Sequence, residues 1–282
     1  MYQEVIDICR NAAKINQTDP LRKGNIVRLG DEGTVIVAGD IHGHRRNFER
    51  IIAKANLQDN PNTHIVIQEI LHGGPEDEFQ GCMSFHLFYD IVRYQVQFPQ
   101  QVHLIMGNHD TAIINDSSVL KVGREMNQAL KSAMQRYFND QFDAVYQAMK
   151  EYLISQPLAV KCENGIWMSH SLPADRDAAD FDIKVFDKEL APADLFRSKP
   201  AYMLTWGRRQ SQESLNILAK KLDAKIFILG HQAQETGWTK AADNLIILAS
   251  DHNHGCILEF DLSQSYTTDE LTEIIVPLAS IA

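Results

Sequence analysis

Val35-Ile-Val-Ala-Gly-Asp-Ile-His-Gly-His44 is the stretch whose reading decides the fold. The small and β-branched apolar residues Val35 to Ala38 read as a buried strand, and the polar turn after it carries Asp40 and His42. A carboxylate and an imidazole at a strand end can hold one divalent cation from two directions while Ile41 points away. The same pair also serves ordinary turn chemistry, so it gains weight only from the rest of the chain.

Downstream, residues 45 to 57 place Phe48, Ile51, Ile52 and Ala55 on one face of a helix. The resulting strand-turn-helix unit presents ligands at the strand's carboxyl end. A second strand, His64 to Ile70, runs into Gln68-Glu69-Ile70-Leu71-His72-Gly73-Gly74-Pro75. A helix over 81–98 follows, and a third strand, Val102 to Met106, ends in Gly107-Asn108-His109-Asp110. Metal-type or acid–base side chains after three successive strands predict a shared site. Upstream, residues 4 to 15 read as an amphipathic helix, and strands Asn25–Leu29 and Thr34–Ala38 are joined by the turn Gly30 to Gly33.

Farther along, Ser117 to Gln156 has a helical apolar stripe, and Asn164-Gly165 marks a hairpin between Leu158–Cys162 and Ile166–His170. Residues 172 to 200 are polar and rich in Asp and Pro, which predicts a surface excursion able to border a cleft. A helix over Gln212–Leu222 precedes the strand Lys225–Gly230, which ends at His231. Leu245–Ser250 and Cys256–Leu262 are expected to close a second set of strands around Asp251 to His254. The pattern predicts an α+β or α/β fold, two β-sheets flanked by helices in a four-layer αββα sandwich. It is read as one domain over 1–282 with a helical insertion at about 111–156.

Composition narrows the function classes. With 282 residues, 44% of them hydrophobic, the chain can bury a sizeable core. A net charge of −10 argues against nucleic acid as the main partner, since phosphate backbones are bound through clustered Lys and Arg. The first ten residues carry acids where a signal peptide carries bases, and no apolar run approaches the roughly 18 residues of a membrane span. A cytoplasmic protein without a membrane partner is expected. The four cysteines stand singly, which suggests neither a disulfide framework nor a thiolate zinc site.

The order of motifs, GDIHG at 39–43, GNHD at 107–110, SH at 169–170 and GHQAQETGW at 230–238, resembles the calcineurin-like metallophosphoesterases. More narrowly, it is similar to the phosphoprotein phosphatase branch, over about residues 34 to 262. The resemblance implies two divalent metal ions, manganese first, with iron or zinc as alternatives. Asp40 and His42 would hold one ion, Asn108, His170 and His231 the other, and Glu69 would bridge them. It further implies attack by a hydroxide shared between the ions, with His109 as general acid and Asp40 and His109 as the catalytic residues. Arg208 or Arg209, after Trp206, stands roughly where bacterial members supply an arginine to the substrate phosphate. The expected partner is a phosphorylated substrate, either a phosphoprotein or a small phosphate ester.

The second motif departs from the family's Gly-Asp-x-x-Asp-Arg-Gly, because Gln68-Glu-Ile-Leu-His-Gly-Gly74 occupies it. Glu69 replaces the bridging aspartate with a side chain one methylene longer, and is read either as a ligand or as a solvated acid. His72 stands where an aspartate would orient the catalytic histidine. Gly73 removes a phosphate-binding guanidinium fork. His72, His252 and His254 fit a cleft lining or an exposed polar loop equally well. Beside a phosphomonoesterase, the sequence leaves open a dinucleoside polyphosphate hydrolase and a catalytically impaired metal-binding interaction protein.

Overall fold

A computed structural model of the chain describes residues 2–121 and 123–281. Its centre is a five-stranded sheet in the order Ile275–Pro277, Cys256–Asp261, Thr34–Asp40, Thr63–Gln68, Val102–Ile105. The last three strands are mutually parallel, so the turns after Asp40, Gln68 and Ile105 open along one edge. A seven-stranded sheet stacks on it in the order Arg22–Lys23, Ile26–Leu29, Ala159–Cys162, Ile166–Ser169, Ile226–Leu229, Leu245–Leu248, Trp238–Ala242. In this sheet Ile166–Ser169 and Ile226–Leu229 run parallel, which sets His170 and His231 side by side.

Side-chain alternation explains the layering. Val35, Val37, Leu258 and Phe260 of one sheet meet Met168, Ile228, Ile246 and Leu248 of the other in a dry inter-sheet core. Their neighbours Ile36, Ala38, Ile257, Trp167, Phe227 and Ile247 face the opposite way, into the core formed with the helices. Two apolar faces per sheet require cover on both sides, and this is why the strands read as continuous apolar runs. Helices Tyr2–Thr18, Phe85–Gln97 and Phe142–Ser155 supply part of that cover. Among the described residues no helix is long and apolar enough to cross a membrane.

Three expectations are corrected. Thr34–Asp40 and Ile26–Leu29 belong to different sheets, so the turn at 30–33 crosses the sandwich. Leu245–Leu248 and Cys256–Asp261 likewise split between the sheets, because Cys256–Asp261 pairs with Thr34–Asp40. The apolar stripe from Ser117 to Gln156 is not one helix. Leu120–Lys121 and Arg124–Glu125 form a small hairpin, and helices Met126–Phe138 and Phe142–Ser155 are separated by a 3-10 turn in which Asn139 takes a φ of 48°. The apolar pattern runs on through the break because both helices bury residues in the same core, Leu130, Met134 and Phe138 of the first with Val145, Met149 and Leu153 of the second.

Far from the site's motifs, the strands Thr63–Gln68 and Val102–Ile105 stack the rings of His64 and His103, 5.4 Å apart. His64 Nδ1 lies 3.2 Å from His103 Nε2, and Asp19 is 4.0 Å from His103 Nδ1. Burial, with His64 adding to it, pushes His103 down to about 3. Since the folded value lies below the unfolded one of about 6.5, the neutral ring stabilises fully above that pH. The contribution is lost as pH falls from about 6.5 towards 3, at up to about 1.4 kcal/mol per pH unit for one proton. Urea unfolding between pH 7 and 5 is expected to show this slope in the wild type and a flatter one in His103→Gln. Equal slopes would remove His103 as the cause.

Candidate metal and phosphate site

The strand-end turns of both sheets converge. Asp40 ends its strand, and its two oxygens face different neighbours. Oδ2 lies 3.7 Å from His42 Nε2, while Oδ1 accepts the backbone N–H of His231 at 2.9 Å and lies 3.7 Å from His170 Nδ1. Asn108 Oδ1, His170 Nε2 and His231 Nδ1 form a triangle with sides of 2.8, 2.8 and 3.1 Å. Glu69 Oε2 lies 3.1 Å from His170 Nε2 and accepts the His109 N–H at 3.2 Å. All six positions singled out as ligands therefore belong to one connected network.

The backbone is bent to achieve this. His42, Glu69, His72 and His231 have φ values of 40°, 46°, 69° and 66°, in the left-handed region that non-glycine residues seldom enter. Such strain clusters where surrounding structure holds a functional geometry. The Glu69 carbonyl accepts from the N–H groups of both Ile41 and His42, tying the first turn to the second.

The donor set suits a divalent cation. Donors bound at about 2.1 Å and at right angles stand about 3.0 Å apart, close to the sides of the triangle. Among the described residues no three His, Cys, Asp or Glu side chains form a ready cation cage, so the fit depends on the Asn108 carboxamide as a donor. Glu69 is 1% exposed, and its Oε1 is buried with no hydrogen-bond partner among the described residues. The solvated-acid reading of Glu69 is thereby overturned. Burial alone would lower His170, yet the charges of Asp40 and Glu69 outweigh it and raise its pKa. The two carboxylates thus favour positive charge at His170. Burial, followed by the charges of His170 and Arg208, holds His231 well below the ordinary histidine value.

Outer partners fix the imidazoles. Nδ1 of His42 donates to the Leu71 carbonyl at 2.9 Å, leaving Nε2 as the lone-pair donor. Nδ1 of His170 donates to Gln68 Oε1 at 2.9 Å, and Gln68 is itself oriented because its Nε2 donates to the Ala38 carbonyl at 3.1 Å. Gly230 leaves the necessary room, since a Cβ there would lie 2.4 Å from Asp40 Oδ1 and 2.5 Å from Gln68 Oε1. Gln68 was not singled out from the sequence, although its replacement of the family's glycine was the available signal. Replacing it with Met, which keeps the volume and loses the acceptor, is expected to weaken divalent-ion binding about 10–100-fold. Calorimetric titration with Mn²⁺ measures this, and an unchanged affinity would deny Gln68 the role.

Other sequence-singled residues fall in different places. His109 lies between the rings of His42, at 5.4 Å, and His72, at 4.5 Å. His72 is 1% exposed, so it lies against His109 and does not line a substrate wall as expected. Asp110 accepts the Gly107 N–H at 2.9 Å at the start of helix Asn108–Ile114, and burial followed by Glu69 raises its pKa. Gly73 adopts a φ of +72°, and a Cβ would stand 2.5 Å from the His42 carbonyl oxygen. The family's arginine therefore cannot be restored there without moving the first turn. Arg208 and Arg209 line a common cleft with Trp206. Burial lowers the Arg208 pKa against the pull of Asp40, and its charge helps to lower His231, so Arg208 lies within electrostatic reach of the donor cluster. Trp206 Nε1 donates to Thr111 Oγ1 at 2.9 Å, a link the sequence did not announce.

A family model described as calcineurin-like phosphoesterase matches residues 33–235. Among solved structures, the chain is similar to a protein serine/threonine phosphatase from Saccharomyces cerevisiae, with 14% identity, coverage of 99% of this chain and 93% of that one, and a TM-score of 0.69. It is also similar to a cold-active protein-tyrosine phosphatase of a psychrophilic Shewanella, with 15% identity, coverage of 89% and 80%, and a TM-score of 0.62. At such identities the likeness establishes the fold, and the two neighbours' names already point to different substrates. The matched span contains the Asp40, Glu69, Asn108, His170 and His231 turns, and the chain belongs to the calcineurin-like phosphoesterase family, metal-dependent hydrolases of phosphate esters.

Proposed function

We propose that the protein is a two-cation phosphomonoesterase of the serine/threonine phosphatase type. Asp40 and His42 would hold one ion, Asn108, His170 and His231 the other, with Glu69 between them. The observation that carries this reading is the triangle of Asn108 Oδ1, His170 Nε2 and His231 Nδ1, with sides of 2.8, 2.8 and 3.1 Å and the Glu69 carboxylate against it. Oxygen and nitrogen donors without thiolate suit manganese, with iron or zinc as alternatives. Divalent cations bound there supply charge to the phosphoryl oxygens and acidify the attacking water.

The chain's own residues do the rest. Arg208 takes the phosphoryl group through its guanidinium fork and sets its orientation against the donor cluster. His109 gives a proton to the departing oxygen, and its orientation comes from the rings of His42 and His72. The four buried free thiols suit a reducing compartment, and we place the protein in the cytoplasm.

A second reading has one observation in its favour. Gly73, held at φ +72°, leaves the site without the arginine of the second motif, as in an impaired metal-binding interaction protein. Hydrolysis of an aryl phosphate with added Mn²⁺ separates the two. The enzyme reading expects turnover in the wild type that Asp40→Asn depresses strongly and His109→Asn more modestly. Equally inert wild type and variants, with Mn²⁺ still bound, would favour the interaction protein.

A further inference from the structure

A cleft of about 700 Å³ opens beside the donor cluster, lined by residues from 174–177, 197–198 and 202–209. In a chain of net charge −10 its walls carry four arginines, Arg176, Arg197, Arg208 and Arg209. Against them stand two carboxylates that are already engaged. Asp177 lies 3.4 Å from Arg176, and Asp175 accepts the Ser211 N–H at 2.5 Å. Among the described residues, no ion pair involves Arg197, Arg208 or Arg209. Three unpaired guanidiniums exceed what one phosphoryl group requires, since a single bidentate fork satisfies two of its oxygens.

The same cleft has a flat aromatic wall. Tyr202 and Trp206, one turn apart on helix Pro200–Trp206, stack with ring centroids 5.5 Å apart and planes inclined by 9°. The hydrogen bond to Thr111 pins the indole, which reaches to 6.4 Å from the His231 ring. A planar group entering the cleft can continue this stack while its charged end meets the arginines.

Resting on the two-cation phosphoesterase reading, and departing from its serine/threonine phosphatase type, we infer that the cleft binds the leaving-group side of a nucleoside polyphosphate. Its inner phosphates would lie on Arg197 and Arg209 and its base on the Tyr202–Trp206 stack, with Arg208 on the phosphoryl group that is cleaved. In the reaction, water adds its oxygen to the terminal phosphorus as the bridging P–O bond breaks. Inorganic phosphate and the shortened nucleotide leave, and the water's proton passes to solvent or to the leaving oxygen.

The test compares ATP, an aryl phosphate and an acidic phosphoserine peptide as substrates of the Mn²⁺-loaded protein. ATP is expected to have the highest kcat/KM. Arg197→Ala and Tyr202→Ala are each expected to reduce kcat/KM for ATP at least about tenfold more than for the aryl phosphate, chiefly through KM. Preference for the phosphopeptide, or equal effects of the variants on both small substrates, would overturn the inference while sparing the phosphoesterase reading. Failure to hydrolyse any of the three would remove both.

Discussion

Asp40→Asn is expected to lower aryl phosphate hydrolysis roughly 10³-fold, above the roughly 10–100-fold cost of losing an outer-shell contact. The reason is the double reach of the Asp40 carboxylate. One oxygen faces His42, and the other receives the His231 N–H and faces His170, so this side chain touches both halves of the donor set. Asparagine preserves the volume and can still accept the His231 N–H, while the negative charge is gone. Unfolding temperature is therefore expected to change little as bound Mn²⁺ per chain falls. Elemental analysis of the purified variant together with a melting curve checks both halves of the statement. Full metal content and near-normal turnover would remove Asp40 from the site.

His109→Asn should have an effect that depends on the leaving group. A positioned proton donor is worth about 10²–10⁴-fold, so the larger loss is expected for an alkyl phosphate, whose oxygen departs poorly without a proton. An aryl phosphate or a phosphoanhydride should lose much less. A uniform loss across leaving groups would instead point to general damage of the site. The ring of His72, 4.5 Å away, offers the complementary experiment. His72 has a φ of 69°, a conformation that aspartate tolerates better than most residues, so His72→Asp can be made with little added strain. Restoring a carboxylate beside His109 is expected to favour alkyl over anhydride substrates, visible as a changed ratio of their kcat values.

The two neighbouring structures carry the names of a serine/threonine phosphatase and a tyrosine phosphatase on one fold. Specificity in such a scaffold is set by what surrounds the phosphoryl group. Beside the donor cluster stand the helix Pro200–Trp206, the arginines that follow it and parts of the 172–200 excursion, which the sequence read separately, as a polar stretch able to border a cleft and as an arginine pair for a phosphate. The arginines gather because 174–177, 197–198 and 202–209 fold against one another, and no spacing between them announces this.

Local chemistry wrote much of the fold into the chain. The apolar run Val35–Ala38, the helix Gln212–Leu222 and the Asn164-Gly165 hairpin stand where their sequence placed them, because period and turn preference depend on immediate neighbours. The positions of Asp40, Asn108, His170 and His231 were legible for the same reason, each lying at the end of a strand or within three residues of it. What only the tertiary structure decided was long-range. Cys256–Asp261 pairs with Thr34–Asp40 across more than two hundred residues, Glu69 is buried, Gln68 holds His170, and His72 lies behind His109. Strand partners and burial are chosen by which faces can exclude water together, a property of the assembled sandwich that no short window of sequence contains.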